Sequence, residues 1–379
     1  MPAAHDIALV ISDLGGGGAQ RVATQLAGGW QKTGRRIAVI TMVDSCDDFF
    51  RLPLGITRVS IGGMGDSHSV ATGLAANLSR IMRLRRALRQ ANAPIAVAFM
   101  TQTAILTVLA AVGLNLQVIA CERNDPSRQS FGPIWERLRR VVYPRATKVT
   151  ANSRGALTSL SQFVPRNKLA YVPNPLAMPL SDERLQLTAP TIVAVGRLHY
   201  QKGLDVLMHA FARFRAEHKG WRLAFVGQGR EETRLRSLAT RLEIADEVDW
   251  MGMQLDPFPL LRSAHIFALP SRYEGMPNAL LEAMSCGLPC VVSDASPGPL
   301  ELIEHEKTGL VVASEDPAAL SGAFARLAKD SQLCSCLGKA AEQRAAKHVL
   351  PAVLAEWDEL LGLSSRQTTA TAAAHDNYV

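Results

Sequence analysis

The chain has no long uninterrupted apolar run and few cysteines, and these two absences exclude several classes of protein. No stretch of its 379 residues approaches the roughly 18 consecutive apolar residues of a membrane-spanning helix. The six cysteines are scattered, without the spacing of a zinc site or a disulfide framework. We therefore expect no metal site, and reduced buried thiols, which are typical of a cytosolic protein.

Sequence signatures of common catalytic centres are also missing. The nine histidines show no i,i+4 pairs or other metal-ligand spacing. No Gly-x-Ser-x-Gly elbow is present, so a serine hydrolase is not predicted. The first residues, MPAAHDIALVISDL, lack the basic start and long apolar core of a signal peptide. Their apolar run is interpreted as a first β-strand.

Basic residues are concentrated in the first half of the chain. Residues 1–180 hold 21 lysines and arginines against 9 aspartates and glutamates, an excess of 12, whereas the remaining residues hold 20 against 25. This asymmetry indicates an anionic partner for the first half.

A basic amphipathic helix is predicted over residues 77–89. Its arginines include Arg80, Arg83 and Arg86. The apolar stripe, which we expect to cover a sheet, consists of Leu78, Ile81, Met82 and Leu88. An anionic membrane surface, bound electrostatically, is the favoured partner, and a merely solvated helix face is the alternative. Nucleic acid is not predicted, because interleaved aromatic residues and known binding motifs are missing.

Apolar runs alternate with helical patterns twice along the chain, which is typical of parallel α/β units. In the first half the predicted strands are 7–12, 37–42, 95–99, 118–121, 148–152 and 169–172. In the second half they are 191–195, 222–226, 247–251, 266–269, 289–293 and 310–312. Each set suffices for one doubly wound, Rossmann-like sheet.

Two doubly wound domains are therefore predicted, facing each other across a central cleft where such sheets bind ligands. The first is expected over residues 1–175 and the second over 190–350. The proline-rich stretch 173–190 is interpreted as the linker. A C-terminal helix over 351–363 is expected to return to the first domain, and residues 364–379 to form a frayed tail.

The most specific chemical pattern is SRYEGMPNALLEAMSCGLP, residues 271–289. Glu274 lies in a loop, and Glu282 lies on a short helix that Pro277 opens and Gly287 ends. A separation of eight residues, at about 100° per residue, does not place two side chains on one face of a helix. The two carboxylates therefore share a site only if Glu274 lies in the loop and Glu282 on the helix. Together with free N–H groups at the helix start, they suit a phosphate-bearing ligand with sugar or ribose hydroxyls.

Two further loops follow predicted strands. Glycines 15–18 allow close backbone approach to a ligand, although Gln20 stands where the dinucleotide fingerprint has its third glycine. The strand 191–195 leads into GRLHYQKG, in which Arg197 and Lys202 suit a diphosphate, the arginine as a fork and the lysine as a point charge.

Four segments together resemble the retaining glycosyltransferase family four, which has the GT-B fold of two Rossmann-like domains. They are GGGGAQR, GRLHYQKG, the stretch with the two glutamates, and SPGPLELIEHEKTGLVV. Residues 251–294 are especially similar to the bacterial branch that builds polysaccharides, lipopolysaccharide cores and lipid-linked oligosaccharides.

The resemblance implies a role for each matching residue. Arg197 and Lys202 would hold the donor diphosphate, Glu282 would bind the ribose, and Glu274 would contact the transferred sugar. The other donor contacts would come from Gly17, Gly18, Gly275, Met276, Pro277 and Asn278. The turn at 252–254 would lie beside the base. No cofactor or metal is implied, since two cations would neutralise the departing nucleotide.

The implied reaction moves a hexose or N-acetylhexosamine from a UDP-sugar, with retention, to a lipid-linked oligosaccharide, lipopolysaccharide or exopolysaccharide acceptor. The enzyme would be cytoplasmic and peripheral on the inner face of the cytoplasmic membrane. A transferase with a soluble acceptor, as in glucan or disaccharide synthesis, is one alternative. A non-catalytic nucleotide-sugar-binding protein is the other.

The chain departs from the family pattern at two positions. Gln20 stands where the family turn Gly-Gly-Ala-Glu has its acid. Arg123, in the sequence Glu-Arg-Asn, replaces the histidine that usually touches the transferred sugar. Arg123 and Asn124 are therefore acceptor-side candidates, and the arginine favours an anionic group nearby.

Overall fold

Short apolar runs of the sequence become the parallel strands of two separate sheets. The computed structural model of the chain describes residues 5–44, 48–62 and 70–363. Unit 1 consists of the chain up to Pro175 together with the residues from Leu350 onwards, and unit 2 spans Leu176–Val349. Cys46 and the tail expected over 364–379 lie outside the described residues.

The strands of each unit pair in parallel throughout. Unit 1 has the strands β1 (Ile7–Ile11), β2 (Ile37–Thr41), β3 (Thr57–Ser60), β4 (Ile95–Phe99), β5 (Gln117–Glu122), β6 (Lys148–Ala151) and β7 (Leu169–Tyr171). Unit 2 has β8 (Thr191–Val195), β9 (Arg222–Val226), β10 (Val248–Trp250), β11 (Ile266–Leu269), β12 (Cys290–Ser293) and β13 (Leu310–Val312). The sheet orders are β3-β2-β1-β4-β5-β6-β7 and β10-β9-β8-β11-β12-β13.

Helices connect most successive strands, which is the usual crossover between parallel strands, although the described residues between β2 and β3 form none. They are α1 (Gly18–Lys32), α2 (Val70–Ala91), α3 (Thr101–Ala111), α4 (Pro133–Val142), α5 (Arg154–Leu160), α6 (Leu204–Glu217), α7 (Glu232–Arg241), α8 (Phe258–Leu261), α9 (Asn278–Ser285), α10 (Pro297–Leu302), α11 (Pro317–Lys329), α12 (Ser331–Ala345) and α13 (Leu350–Leu361). In both sheets the order reverses direction beside the first strand, so the predicted class of two doubly wound units is confirmed.

Strand β3 was not predicted, and its burial explains why. Its sequence TRVS is exposed at both ends and only half-buried between them, because β3 forms the edge of the sheet. Most of the predicted strands are instead built around buried apolar runs, such as the five fully buried residues of β1. A short polar edge strand carries no such run.

The apolar stripe predicted for the basic helix is wrong at two positions. Leu78 and Met82 are 60% and 65% exposed, whereas Leu84 and Leu88 of α2 are buried against the sheet. The buried face follows the spacing 81, 84, 88, 91, which keeps the helical period along one side. Leu78 and Met82 lie outside that stripe.

The C-terminal helix completes the core of unit 1. The rings of Trp357 on α13 and Trp30 on α1 meet edge to face, with centroids 6.0 Å apart. Trp30 Nε1 donates to Asp358 Oδ1 at 2.9 Å, and Arg35 Nη2 donates to Asp358 Oδ2 at 2.7 Å. Because Trp357 is fully buried, α13 covers one face of the sheet of unit 1.

The stretch interpreted as a linker lies largely on unit 2. Leu180 N donates to Asp256 Oδ2 at 2.8 Å, and Leu185 N donates to Pro259 O at 3.0 Å. These bonds attach residues before β8 to the segment around α8. The extended segment therefore has fixed backbone partners despite its prolines.

Replacing Trp357 tests how much α13 contributes to unit 1. We expect Trp357→Ala to lower the free energy of unfolding by about 3–5 kcal/mol, because it leaves a large cavity beside Trp30. Trp357→Phe should cost clearly less, since it keeps an aromatic ring and the indole N–H has no hydrogen-bond partner among the described residues. Urea unfolding followed by far-UV circular dichroism measures both, and equal midpoints for Trp357→Ala and wild type would contradict the packing role.

Candidate functional site

The candidate site of unit 2 lies where the order of its sheet reverses, beside strands β8 and β11. In open parallel sheets, ligands bind beyond the carboxyl ends of the strands at this position. The loop after β8 carries Arg197 and Lys202, and the loop after β11 carries Glu274. The fold thus brings together two segments that are far apart in sequence.

An ion pair joins these two loops. Lys202 Nζ lies 2.6 Å from Glu274 Oε1, which also accepts a hydrogen bond from Ser271 Oγ at 2.8 Å. The Glu274 residue is only 7% exposed, and its backbone N–H donates to Ser296 Oγ at 2.9 Å. Both recorded side-chain bonds use Oε1. Among the described residues, none bonds to Oε2, and the sugar contact of Glu274 stays a prediction.

Further contacts fix the two loops against each other. Arg272 N donates to Gln201 O at 2.8 Å, and Gln201 Nε2 donates to Tyr273 O at 2.9 Å. The Arg272 guanidinium lies 4.0 Å from the centroid of the Tyr200 ring and 3.1 Å from Asp205 Oδ1. None of these residues was predicted, because their roles depend on pairing between loops rather than on a local motif.

Two glycines permit backbone contacts that no side chain allows. A Cβ on Gly203, whose φ is +61°, would lie 2.1 Å from Pro270 O. A Cβ on Gly298 of α10 would lie 1.5 Å from Gly275 O. The close approach of Gly298 sets the position of the backbone that leads into α9.

Helix α9 begins four residues after Glu274, with Pro277 as its N-cap residue rather than within the first turn. It ends in a Schellman motif, in which Gly287 N donates to Met284 O at 2.9 Å and Leu288 N to Ala283 O at 3.2 Å. Glu282 on this helix is 2% exposed. Its ribose contact, and the donor contacts of 275–278, stay predictions.

Arg197 is exposed at the end of β8 and has no ion pair within 4.0 Å among the described residues. The Lys202 side chain, in the same loop, is 16% exposed and is paired with Glu274. The two residues predicted to bind phosphate therefore differ: the Arg197 guanidinium is open to solvent, whereas the charge of the Lys202 ammonium is compensated by Glu274.

The glycine-rich loop of unit 1 folds around a carboxylate. Asp13 Oδ1 accepts from Gly15 N at 2.8 Å and from Gln20 Nε2 at 2.9 Å. The Gly17 N–H donates to Gly15 O at 2.9 Å. A Cβ on Gly17 would lie 2.4 Å from Gln20 Oε1, so this glycine makes room for the glutamine. Diphosphate contacts from Gly17 and Gly18 stay a prediction.

Arg123 points into an aromatic pocket of unit 1. Its guanidinium lies 4.9 Å from the Phe99 ring centroid and 5.6 Å from that of Trp357, and Nη1 donates to Asn174 Oδ1 at 3.0 Å. Burial lowers the pKa of Arg123 below its usual range. Asn124 Oδ1 accepts instead from the next backbone N–H in a local turn. The two acceptor-side candidates thus have different surroundings.

A buried carboxylate beside Arg123 was not predicted. Glu122 accepts from Thr101 Oγ1 at 2.9 Å and from Tyr143 Oη at 3.1 Å, with Arg139 Nη1 at 3.8 Å. Burial raises the pKa of Glu122, and the nearby positive charge of Arg139 opposes this shift. The sequence feature that could have indicated this buried carboxylate is the single acid at the end of the otherwise apolar run VIACE.

The described cysteines are free, and burial raises the pKa of Cys286 to about 11, so its thiol stays protonated at neutral pH. Within the described ranges, no group of three or more His, Cys, Asp or Glu side chains is placed to hold a metal ion. Among the helices that the structure describes, none has the length and apolarity needed to cross a bilayer.

Two doubly wound parallel units, with a cation–carboxylate site at the switch point of the second, define the class of GT-B glycosyltransferases. Residues 17–175 match the family described as glycosyl transferase 4-like domain, and residues 181–344 match glycosyl transferases group 1. The chain therefore belongs to the glycosyltransferases of these families, and the predicted resemblance is confirmed.

Known proteins similar to this chain include bacterial polysaccharide enzymes. An exopolysaccharide phosphotransferase of Streptomyces coelicolor is 30% identical over 284 residues, which are 74% of this chain but 29% of that longer protein. An α-1,4-N-acetylgalactosaminyltransferase of Campylobacter jejuni, named for an undecaprenol-linked substrate, is 23% identical over 94% of this chain and 98% of its own length. HepE of Anabaena, crystallised with UDP-glucose, shares the fold with a TM-score of 0.80 at 18% identity, over 94% of this chain and 99% of that one.

A pair of glycine substitutions tests the backbone packing at the site. Gly298→Ala should lower the free energy of unfolding by at least about 2 kcal/mol, because its Cβ meets Gly275 O. Gly322→Ala is the matched control, since its Cβ enters open space within α11. We expect that control to be neutral or to raise stability by about 0.5–1 kcal/mol. Urea denaturation measures both, and equal stabilities would contradict the close approach.

Proposed function

We propose that the chain is a retaining glycosyltransferase that moves a hexose or N-acetylhexosamine from a UDP-sugar to a lipid-linked oligosaccharide, lipopolysaccharide or exopolysaccharide acceptor. The observation that supports this most directly is the Lys202–Glu274 ion pair at the switch point of unit 2. It combines a cation for phosphate with a carboxylate for sugar hydroxyls. Similarity to bacterial polysaccharide glycosyltransferases supports the acceptor class.

The proposed chemistry rests on charge. Transfer breaks the bond between the anomeric carbon and a phosphate oxygen, so negative charge grows on the departing diphosphate. Arg197 and Lys202 supply positive charge there, and the N-terminus of α9 adds its partial charge. Because these groups are fixed before the reaction, they stabilise the transition state with little reorganisation.

Glu274 has a positioning role in this proposal. Its Oε1 is held by Lys202 and Ser271, which leaves Oε2 to accept a hydroxyl of the transferred sugar. Acceptor attack and departure of the nucleotide on the same face of the sugar would retain the anomeric configuration. No residue is assigned as a covalent nucleophile.

UDP is the proposed donor nucleotide, and direct comparison with other nucleotides tests this choice. Calorimetric titration with UDP, GDP, ADP and CMP should show UDP binding about tenfold or more tightly than the others.

Lys202→Ala should lower kcat by about 10²–10³-fold and also raise the donor KM, because it removes the positive charge that stabilises the leaving diphosphate. Glu282→Ala should act mainly on the donor KM.

Lys219→Ala is the control for these kinetics, since Lys219 is an exposed lysine of the same unit. It should leave kcat and KM unchanged. Values of Lys202→Ala near those of wild type would contradict the diphosphate role. Equal binding of all four nucleotides would contradict the donor class.

We place the chain at an anionic membrane surface, through the face of unit 1 that carries α2 and α4. On α2, the exposed apolar residues Leu78 and Met82 lie among the exposed Arg83 and Arg86, whereas Arg80 is half-buried and donates to Asn77. A similar mixture on α4 consists of the exposed Ile134, Arg137, Arg140 and Val141. Both helices pack on the same side of the sheet. Mixed apolar and basic faces are typical of interfacial helices.

Vesicle binding tests this surface. Arg83→Glu with Arg86→Glu should weaken co-sedimentation with phosphatidylglycerol vesicles by about tenfold or more, since each basic residue contributes about 1 kcal/mol. Leu78→Ser with Met82→Ser should weaken it too, through lost apolar insertion. Leu54→Ser is the control, because Leu54 is 97% exposed near the opposite side of the sheet. Unchanged binding of both double variants would leave α2 as a solvated face.

A further inference from the structure

The turn that His199 caps favours one tautomer of its imidazole ring. His199 is the N-cap residue of the 3-10 turn Tyr200–Lys202, and its Nδ1 accepts a hydrogen bond from Gln201 N at 3.1 Å. Burial lowers the pKa of His199, and the charges of Arg230, Arg197 and Lys202 lower it further, while Glu231 opposes them. A neutral imidazole with an accepting Nδ1 carries its proton on Nε2.

That Nε2–H group faces another donor. Arg230 Nη2 lies 2.8 Å from His199 Nε2, and a guanidinium has N–H donors but no acceptor. With the proton on Nε2, as the capped turn favours, two donors meet at hydrogen-bond distance. The arrangement becomes favourable when an acceptor oxygen separates them and accepts from both.

The backbone on both sides of Arg230 is fixed beside the segment that carries His199. The loop after β9 lies against the loop after β8, where Leu198 N donates to Gln228 O at 2.9 Å and Glu231 N donates to Leu198 O at 3.1 Å. A Cβ on Gly229 would lie 2.3 Å from Leu198 O, so the two backbones are in direct contact. Residues on both sides of Arg230 are thus fixed to the segment that carries His199.

The local charge selects an anionic oxygen. Lys202 is compensated by Glu274, but neither Arg197 nor Arg230 has an ion-pair partner within 4.0 Å among the described residues. The adjacent acid Glu231 is engaged by Arg234 Nε at 2.7 Å. Two uncompensated guanidiniums beside a neutral N–H donor attract an anion more strongly than they attract water.

We propose that His199 and Arg230 form an anion-binding pair that holds an anionic oxygen of the nucleotide-sugar donor, next to Arg197 and Lys202. This inference rests on the proposed donor class. The oxygen comes from the diphosphate or from the carboxylate of an acidic sugar, and the chemistry of recognition is the same. The pair extends the site from the loop after β8 to the loop after β9, beyond the residues that the family resemblance assigns.

Calorimetric titration of the full chain with inorganic pyrophosphate, UDP, UDP-glucose and UDP-glucuronate tests the pair. Arg230→Gln removes the charge of an exposed side chain. His199→Asn removes the Nε2 donor but keeps an oxygen that caps the turn. Arg213→Gln, on the exposed side of α6, is the matched control. The thermal midpoint of each variant verifies folding.

We expect Arg230→Gln to weaken anion binding by about 10–100-fold, and His199→Asn by about 3–10-fold, with no change for the control. Equal losses of affinity for pyrophosphate, UDP and both UDP-sugars identify a phosphate oxygen as the bound group. A loss confined to UDP-glucuronate identifies a carboxylate. Unchanged affinities for all four compounds would overturn the inference.

Failure of the proposed donor class gives a different result. A wild-type chain that binds pyrophosphate but no UDP contradicts the UDP donor, and the response of Arg230→Gln to pyrophosphate then still decides the pair. A wild-type chain that binds neither compound overturns the pair itself. Nitrogen-15 chemical shifts of His199 add an independent check, because a proton on Nδ1 would remove the donor conflict on which the inference rests.

Discussion

Parallel strand pairing is the constraint on which both units depend. Every strand that the structure describes runs parallel to its neighbours. Within a sheet, each connection therefore runs back over one face to the end at which the next strand begins. All loops that follow strands therefore gather at the carboxyl edge. In unit 2 this brings the loops after β8, β9 and β11 together, and with them Lys202, Arg230 and Glu274.

Once gathered, these loops are fixed by close contacts between backbones, in addition to side-chain contacts such as those of Arg272 and Gln201. Gly203 meets Pro270, Gly229 meets Leu198, and Gly298 meets Gly275, each at a distance that excludes a Cβ. The charged side chains then differ in environment although they share one edge. Lys202 and Glu274 neutralise each other, whereas Arg197 stays open to solvent. Among the described residues, the arginines of these loops without an ion-pair partner are Arg197 and Arg230, whereas Arg272 is paired with Asp205 and Glu315.

Much of the fold follows from the sequence, because buried parallel strands require continuous apolar runs. Strands 95–99, 191–195 and 222–226 have their predicted bounds, while the polar edge strand β3 has no such run. Lys202 and Glu274 stand out through local motifs, but their contact depends on two loops that are separated by three strands in the sequence. The surroundings of Arg123 were unpredictable for a similar reason, since Trp357 reaches it from the far end of the chain.

The position of Trp357 also determines the order in which the chain is able to fold during synthesis. The face of the unit 1 sheet that α13 covers stays incomplete until residues 176–349 have been made. At a synthesis rate of about 5–20 residues per second, this interval lasts roughly 10–35 s. During that time Trp30 lacks its partner ring, so the nascent chain exposes an aromatic surface beside the ribosome. Unit 2 is thus complete in sequence before unit 1 closes its core, although unit 1 begins the chain.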